Sequence, residues 1–290
     1  MISSTGKGIA FIINPGAGKG LAANELSKMR QHVELRDAIF RITTTQGDAA
    51  RFAEELGKSD QIHTLVAVGG DGTVHEIVPS IMGSQCRLAI IPRGSGNGLS
   101  GHLGLPFGLE EAIQLILRGN SAPMDLIRIN GQICSNTSGF GFSAWVADQF
   151  GRDGQRGLLS YIRLGLTGFQ GYKPLTCKIG SLSFPQLLSL EIANSSQLGN
   201  GAWISPQSLT HDGQAELVFL KKPGFLSVPG ILLRTFSKRL DTSDFIQIMK
   251  AQKGVIQSDF PAEWHVDGEY KGITDRLEFE VLPHAIQVIH

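Results

Sequence analysis

The chain has 290 residues, with 26 Lys and Arg against 26 Asp and Glu, and so carries no net charge when histidine is neutral. That balance excludes a broad basic field for nucleic acid, and three cysteines, Cys86, Cys134 and Cys177, supply neither a disulfide framework nor a paired metal motif. No apolar run reaches membrane-spanning length and Met1 to Gly8 lacks the apolar stretch of a secretory leader, so the expectation is a soluble chain in a reducing, cytoplasmic setting.

The 36 glycines are more than an average composition supplies, and their positions are informative. In chain order, the apolar run Ile9 to Ile13 stops at Asn14-Pro15-Gly16-Ala17-Gly18-Lys19-Gly20. Thr64 to Val68 stops at Gly69-Gly70-Asp71-Gly72-Thr73, and Leu88 to Ile91 stops at Pro92-Arg93-Gly94-Ser95-Gly96-Asn97-Gly98. Such runs predict buried strands of a parallel sheet, which needs helical crossovers. Ala49, Phe52, Ala53 and Leu56 repeat at helical spacing, as do Val74, Ile77, Val78 and Ile81, and then Leu109, Ala112, Ile113 and Ile116. Leu21 to Met29 is a weaker helical segment, and Ala38 to Thr43 reads as one more strand.

In an open α/β unit, ligands bind beyond the carboxyl ends of the strands, where all three glycine loops would emerge. Glycine lets backbone N–H groups close on phosphate, and a helix beginning near Thr73 favours anionic oxygen. Asp71 in such a loop makes chemical sense if Mg²⁺ lies between it and phosphate. The first loop lacks Walker spacing and the third lacks dinucleotide-fingerprint spacing, which disfavours a P-loop enzyme and a Rossmann dehydrogenase.

Beyond Asp125 the texture changes to strand-length runs at Leu126 to Ile129, Leu187 to Ala193, Ala215 to Leu220, Phe245 to Met249, Glu263 to Val266 and Arg276 to Leu282. The fold expected is therefore α/β with two domains. Residues 1–125 form an open parallel-sheet nucleotide-binding domain, and 126–290 follow as an antiparallel β-sandwich. Periodicity leaves open whether the last strand returns to the first domain. His211-Asp212-Gly213-Gln214 reads as a hairpin turn, or as a structural cation or hinge site, and Val266-Asp267-Gly268-Glu269 as another acidic turn. An apolar stripe through Leu158, Tyr161, Ile162, Leu164 and Leu166, with Arg152, Arg156 and Arg163, reads as a core helix or as the border of an acyl-chain groove.

Taken in order, Asn14-Pro15 with Gly18, Gly69-Gly70-Asp71-Gly72-Thr73, Pro92-Arg93-Gly94-Ser95-Gly96-Asn97 and Asp267-Gly268-Glu269 resemble the diacylglycerol-kinase catalytic-domain family, which includes bacterial lipid kinases and sphingosine kinases. The resemblance implies an ATP-dependent lipid kinase that uses Mg²⁺ and phosphorylates a hydroxyl of diacylglycerol or a related lipid, with ATP between the two domains. It implies that Asn14, Gly18, Gly69, Gly70, Gly72, Thr73, Gly94, Ser95 and Asn97 line the nucleotide. Asp71 would serve the metal and proton-handling centre, Asp125 the metal network near the headgroup, and Asp267 or Glu269 would accept the proton. Asp125 also reads as a plain hydrogen-bond acceptor at the domain junction, and the late acids as turn residues.

The third loop carries Gly98 where bacterial diacylglycerol kinases commonly have an aspartate, so Gly94-Ser95-Gly96-Asn97-Gly98-Leu99 is nearer the sphingosine-kinase form. Alternatives are therefore a sphingoid-base kinase, an NAD kinase sharing the second loop, and a noncatalytic nucleotide-dependent regulator at membranes. The expected partner is a lipid acceptor met at a membrane surface during transient visits. No nucleic acid is expected, and self-association is left open.

Overall fold

The computed structural model describes residues 6–18, 23–152 and 158–290, with side chains left out at residues 23, 150–152 and 158–162. The chain divides into two compact units, one of residues 1–124 and 284–290 and one of residues 125–283.

The first unit contains β1 (Ile9–Ile13), α1 (Ala23–Gln31), β2 (Ile39–Ile42), α2 (Asp48–Gly57), β3 (Thr64–Gly69), α3 (Asp71–Ile81), β4 (Arg87–Pro92), α4 (Gly98–His102) and α5 (Leu109–Arg118). β1 pairs in parallel with β2 and β3, and β3 with β4. All five residues of β1 and all six of β3 are buried, as continuous apolar sequence requires when both faces are covered. The covering helices bury the residues at helical spacing: Ala49, Ala53 and Leu56 on α2, Val74, Ile77, Val78 and Ile81 on α3, and Ala112, Ile113 and Ile116 on α5. Gly119, at φ 70°, ends α5 in the left-handed conformation that glycine adopts cheaply.

The second unit takes the chain through β5 (Ser121–Ile129), which begins in the first, β6 (Gln132–Cys134), β7 (Thr137–Gly141), α6 (Phe142–Arg152), α7 (Leu158–Gly168), β8 (Leu175–Ile179) and β9 (Leu182–Ala193). It continues with β10 (Gln197–Gly199), β11 (Ala202–Trp203), β12 (Ala215–Lys221), α8 (Val228–Phe236), β13 (Ile246–Ala251), β14 (Lys253–Val266) and β15 (Glu269–Ile289). Phe140, Leu190, Leu217, Phe219, Ile256 and Phe279 are among the side chains of its main core. β6, β7 and β8 are too short or too glycine-rich to announce themselves by alternation. The stripe proposed for residues 158–166 lies on α7, but Arg156 and the side chains of Leu158, Tyr161 and Ile162 fall outside the described residues, as do Lys19 and Gly20.

The expected class, an open parallel sheet followed by a separate antiparallel sandwich, needs correction. β9 and β14 each pair antiparallel with both β7 and β8, so these four strands close a circuit of antiparallel pairings rather than forming two facing sheets. Both β9 and β14 are long enough to take β8 along their first halves and β7 along their second, an arrangement that side-chain alternation cannot encode. The return of the last strand, which periodicity leaves open, is seen in the contacts of the chain's end. Residues 284–290 belong to the first unit, where Gln287 and Val288 of β15 pair in parallel with Arg87 and Leu88 of β4. That sheet therefore does not stop at β4 and is not the product of residues 1–125 alone. β15 is read from sequence as ending near Leu282 because Pro283 and His284, the latter at φ 51°, interrupt its alternation.

Candidate active site

The three glycine loops of the first unit follow β1, β3 and β4 and pack directly on one another. Backbone N–H groups of Arg93 and Gly94 donate to the Gly69 carbonyl, at 2.8 and 3.2 Å. A Cβ on Gly94 would stand 2.4 Å from the Gly70 Cα, and one on Gly18, at φ +58°, 2.3 Å from the Arg93 carbonyl. A Cβ on Gly69 would collide with the Thr73 side chain. Gly94 and Gly18 are thus required for contact between loops, and Gly69 for the turn into α3, before any ligand is considered. Asn14 donates from Nδ2 to Thr73 Oγ1 at 3.3 Å and accepts at Oδ1 from the Gly16 N–H at 3.0 Å. Asn97, at φ 53°, closes the third loop through two 2.8 Å bonds with the N–H and carbonyl of Gly94. Gly94→Ala is expected to cost roughly 1–3 kcal/mol, since backbone rather than a flexible side chain meets the new methyl; urea unfolding checks it.

The structure therefore gathers Asn14, Gly18, Gly69, Gly70, Thr73, Gly94 and Asn97, while Gly72 is half-buried and Ser95 exposed on the same loops. Asp71 opens α3, and its carboxylate accepts from the N–H groups of Gly98 and Leu99, at 3.1 and 3.3 Å, which begin α4. Arg93, whose sequence position gave no hint of a role, ties this region to α1 through Glu25 at 3.1 Å.

The second unit organises the late acidic turn. Asp267, at φ 51° and buried, accepts at its carboxylate from the N–H groups of Ser135 (3.0 Å) and Asn136 (2.8 Å), from Ser135 Oγ (3.1 Å) and from Cys134 Sγ (3.2 Å). Its own N–H donates to the Thr137 carbonyl at 2.8 Å. Asp125, fully buried, accepts at Oδ2 from the Gly213 N–H at 2.7 Å. Asn194 joins the two acids: its Nδ2 donates to the carbonyls of Asp125 (2.8 Å) and Ser135 (2.9 Å). Asp125 and Asp267 thus share one hydrogen-bond network. Asn194 and Ser135 were missed in the sequence because a polar residue beside a strand end looks like any turn. Glu269, two residues on, is exposed. Asp212 sits in an ion-pair cluster in which Lys250 reaches Asp212 at 2.8 Å and Glu216 at 3.2 Å, so an ammonium supplies the positive charge there.

His265 is buried directly beneath the turn. Its Nδ1 accepts from the N–H groups of Gly139 (3.4 Å) and Gly268 (3.2 Å), which places the proton of the neutral ring on Nε2, 3.9 Å from Glu191 Oε2. Burial lowers the His265 pKa to about 4 and raises that of Glu191 from 4.5 to about 8, so both are neutral near pH 7. Because the Glu191 pKa is raised on folding, its favourable contribution is complete below its unfolded value and is lost as pH rises toward 8. Glu191→Gln is therefore expected to gain in melting temperature relative to the parent between pH 5 and 8. A constant difference across that range would refute the assignment of a protonated acid.

No group of three or more His, Cys, Asp or Glu suited to a metal ion occurs among the described residues. Asp71, a carboxylate held at the start of α3 beside the glycine loops, is of the chemical kind that shares a hard cation with phosphate oxygens.

Residues 8–129 match the family description "Diacylglycerol kinase catalytic domain", and residues 137–290 match "YegS C-terminal NAD kinase beta sandwich-like domain". A protein named Probable lipid kinase YegS-like from Klebsiella pneumoniae is 30% identical over 286 residues, covering 93% of this chain and 92% of its own. Probable lipid kinase YegS from Shigella flexneri is 29% identical over 283 residues, covering 90% and 92%. The crystal structure of a candidate diacylglycerol kinase from Bacillus anthracis str. Sterne superposes with a TM-score of 0.78 at 25% identity, covering 97% of this chain and 96% of that one. The glycine loops, the late acidic turn and these matches along nearly the whole sequence together establish that the chain belongs to the diacylglycerol-kinase catalytic-domain family of lipid kinases.

Proposed function

We propose that the chain transfers the γ-phosphoryl group of ATP to a hydroxyl of diacylglycerol or a related lipid. The observation that carries this reading is the mutual packing of three glycine loops at the ends of β1, β3 and β4, with α3 beginning at Asp71. Successive backbone N–H groups and a helix N-terminus compensate phosphate charge without a large side chain. Asn14, Gly18, Gly69, Gly70, Gly72, Thr73, Gly94, Ser95 and Asn97 form the nucleotide cradle. Asn14 and Asn97 act chiefly by holding loop geometry, since their amides already bond within it.

Mg²⁺, when bound with the nucleotide, offsets charge on the migrating phosphoryl group, and Asp71 is the residue that would hold it, with Asp125 in the network toward the headgroup. An alcohol attacks well only if its proton is taken as the new bond forms. Of the two late acids, Asp267 has its carboxylate committed to buried donors, whereas Glu269 stands exposed at the start of β15. Glu269 is therefore the proton acceptor and Asp267 the positioning residue that fixes its turn.

The glycine at 98 favours including a second acceptor class, sphingoid bases, because it presents only an N–H to Asp71 and no carboxylate of its own. Incubation of the full chain with labelled ATP, Mg²⁺ and separate diacylglycerol, monoacylglycerol, sphingoid base and NAD tests the reading. Label in a lipid supports it, and label in NAD alone overturns it.

A further inference from the structure

The second unit carries an apolar face that none of its described residues covers. Between β12 and β13 the chain runs Lys221-Lys222-Pro223-Gly224-Phe225-Leu226-Ser227-Val228-Pro229-Gly230-Ile231-Leu232-Leu233-Arg234-Thr235-Phe236-Ser237-Lys238-Arg239. A single turn at Phe225–Ser227 leads into α8, and no residue of α8 is fully buried. Val228 and Ile231 pack inward against separate small cores. Residues on either side of them face out: Leu226 is 93% exposed, Leu233 71%, Phe225 59% and Phe236 40%. Leu226, Pro229, Leu233 and Phe236 follow a spacing of three, four and three, so they make one stripe along the segment. Isolated exposed apolar residues are ordinary, but three large ones on a single stripe, with Phe225 beside them, are not.

The charge around that stripe identifies what it meets. From Lys221 to Arg239 there is no Asp or Glu, and five cations are present. Lys222 is spent internally on the carbonyls of Gln170 and Tyr172. Arg234, Lys238 and Arg239 are exposed at the far end of α8 and make no salt bridge among the described residues. Lys238 instead lies over the Trp203 ring, 4.1 Å from its centroid. A water-facing helix would alternate acids and bases, and an interface with a second copy of a neutral chain would gain nothing from an excess of positive charge. Large apolar side chains in a row, bordered by cations from Lys221 to Arg239 with the first acids, Asp241 and Asp244, beyond the end of that run, match the boundary between acyl chains and anionic headgroups.

We propose that the segment Phe225 to Arg239 is a membrane-docking surface, in which Phe225, Leu226, Leu233 and Phe236 enter the acyl boundary of an anionic bilayer while Arg234, Lys238 and Arg239 meet its headgroups. This deepens the lipid-kinase reading by naming the surface through which the chain reaches a bilayer. It differs from the stripe on α7, and it adds no group to the chemistry.

Docking is measured without nucleotide, by sedimenting the full chain with sucrose-loaded vesicles of phosphatidylcholine with or without phosphatidylserine. The wild type is expected to sediment, more strongly with phosphatidylserine. Leu226→Gln with Leu233→Gln should weaken partitioning on the order of 10- to 100-fold, with an unchanged melting temperature because both side chains are exposed. Arg234→Gln with Lys238→Gln and Arg239→Gln should remove roughly 10-fold or more from binding to phosphatidylserine vesicles and little from binding to neutral ones. Phosphorylation of a dispersed short-chain acceptor should be the same in all three proteins. Equal sedimentation of wild type and the double-leucine variant would overturn the proposal. So would a concentration-dependent dimer, broken by the same variant, with no vesicle binding. Vesicle binding by a chain that phosphorylates no lipid would leave docking standing and remove the lipid-kinase reading, and turnover of the dispersed acceptor without vesicle binding would do the reverse.

Discussion

Asp267→Ala is expected to lower folding stability by roughly 3 kcal/mol or more, because a buried carboxylate is removed from several donors at once. The N–H groups of Ser135 and Asn136 and the Ser135 hydroxyl would lose their acceptor in a place closed to water, and each orphaned donor costs about 1–3 kcal/mol. Asp267→Asn should recover only part of the loss. Ser135, Asn136 and Cys134 all donate to this carboxylate, so the amide's NH₂ group faces groups that need lone pairs. Urea unfolding followed by tryptophan fluorescence gives both values. A midpoint for the alanine variant within error of the parent would show that the turn is not clamped through this side chain. The expected catalytic loss in either variant is a consequence of the displaced turn.

Glu269→Gln should behave in the opposite way, with unchanged stability and a fall in kcat of about 10²- to 10⁴-fold, the span typical of losing a proton acceptor. The side chain is exposed, so its amide replacement leaves no buried group unpaired. KM for ATP should move little, since the nucleotide cradle is assigned to other residues. Steady-state rates at saturating lipid, together with a melting curve, separate this outcome from a structural one. A variant that keeps parental kcat would transfer the proton-accepting role away from Glu269.

The contrast between these neighbouring acids shows what spacing in the sequence contains and what it lacks. Asp267-Gly268-Glu269 was readable as an acidic turn, because Asp-Gly places a left-handed residue where a hairpin needs it. The division of labour was not readable, because the donors to Asp267 come from Cys134, Ser135 and Asn136, over a hundred residues away. His265 was passed over for the same reason. Only its burial against Gly139, Gly268 and Glu191 separates it from a surface strand residue.

In the first unit local pattern went further. β1, β3 and β4 are apolar on both faces, so their sequences are continuous, and α2, α3 and α5 each declare one buried stripe. The glycine loops could be placed but their packing could not. That Gly94 must touch Gly70, and Gly18 the Arg93 carbonyl, follows from how three separated loops meet. The pairing of β7 and β8 along β9 and β14, and the assignment of residues 284–290 to the first unit, are likewise long-range facts. Alternation specifies which face of a strand is buried and leaves its partners unspecified.

The most direct test of the account is to supply the full chain, Mg²⁺ and diacylglycerol with ATP labelled either at the γ-phosphate or at the α-phosphate, and to count label in the organic extract. The account predicts label in the lipid from the γ-position only, and its loss with Glu269→Gln. Lipid that stays unlabelled with every acceptor in the panel, while the same protein labels NAD or releases only inorganic phosphate, would contradict it.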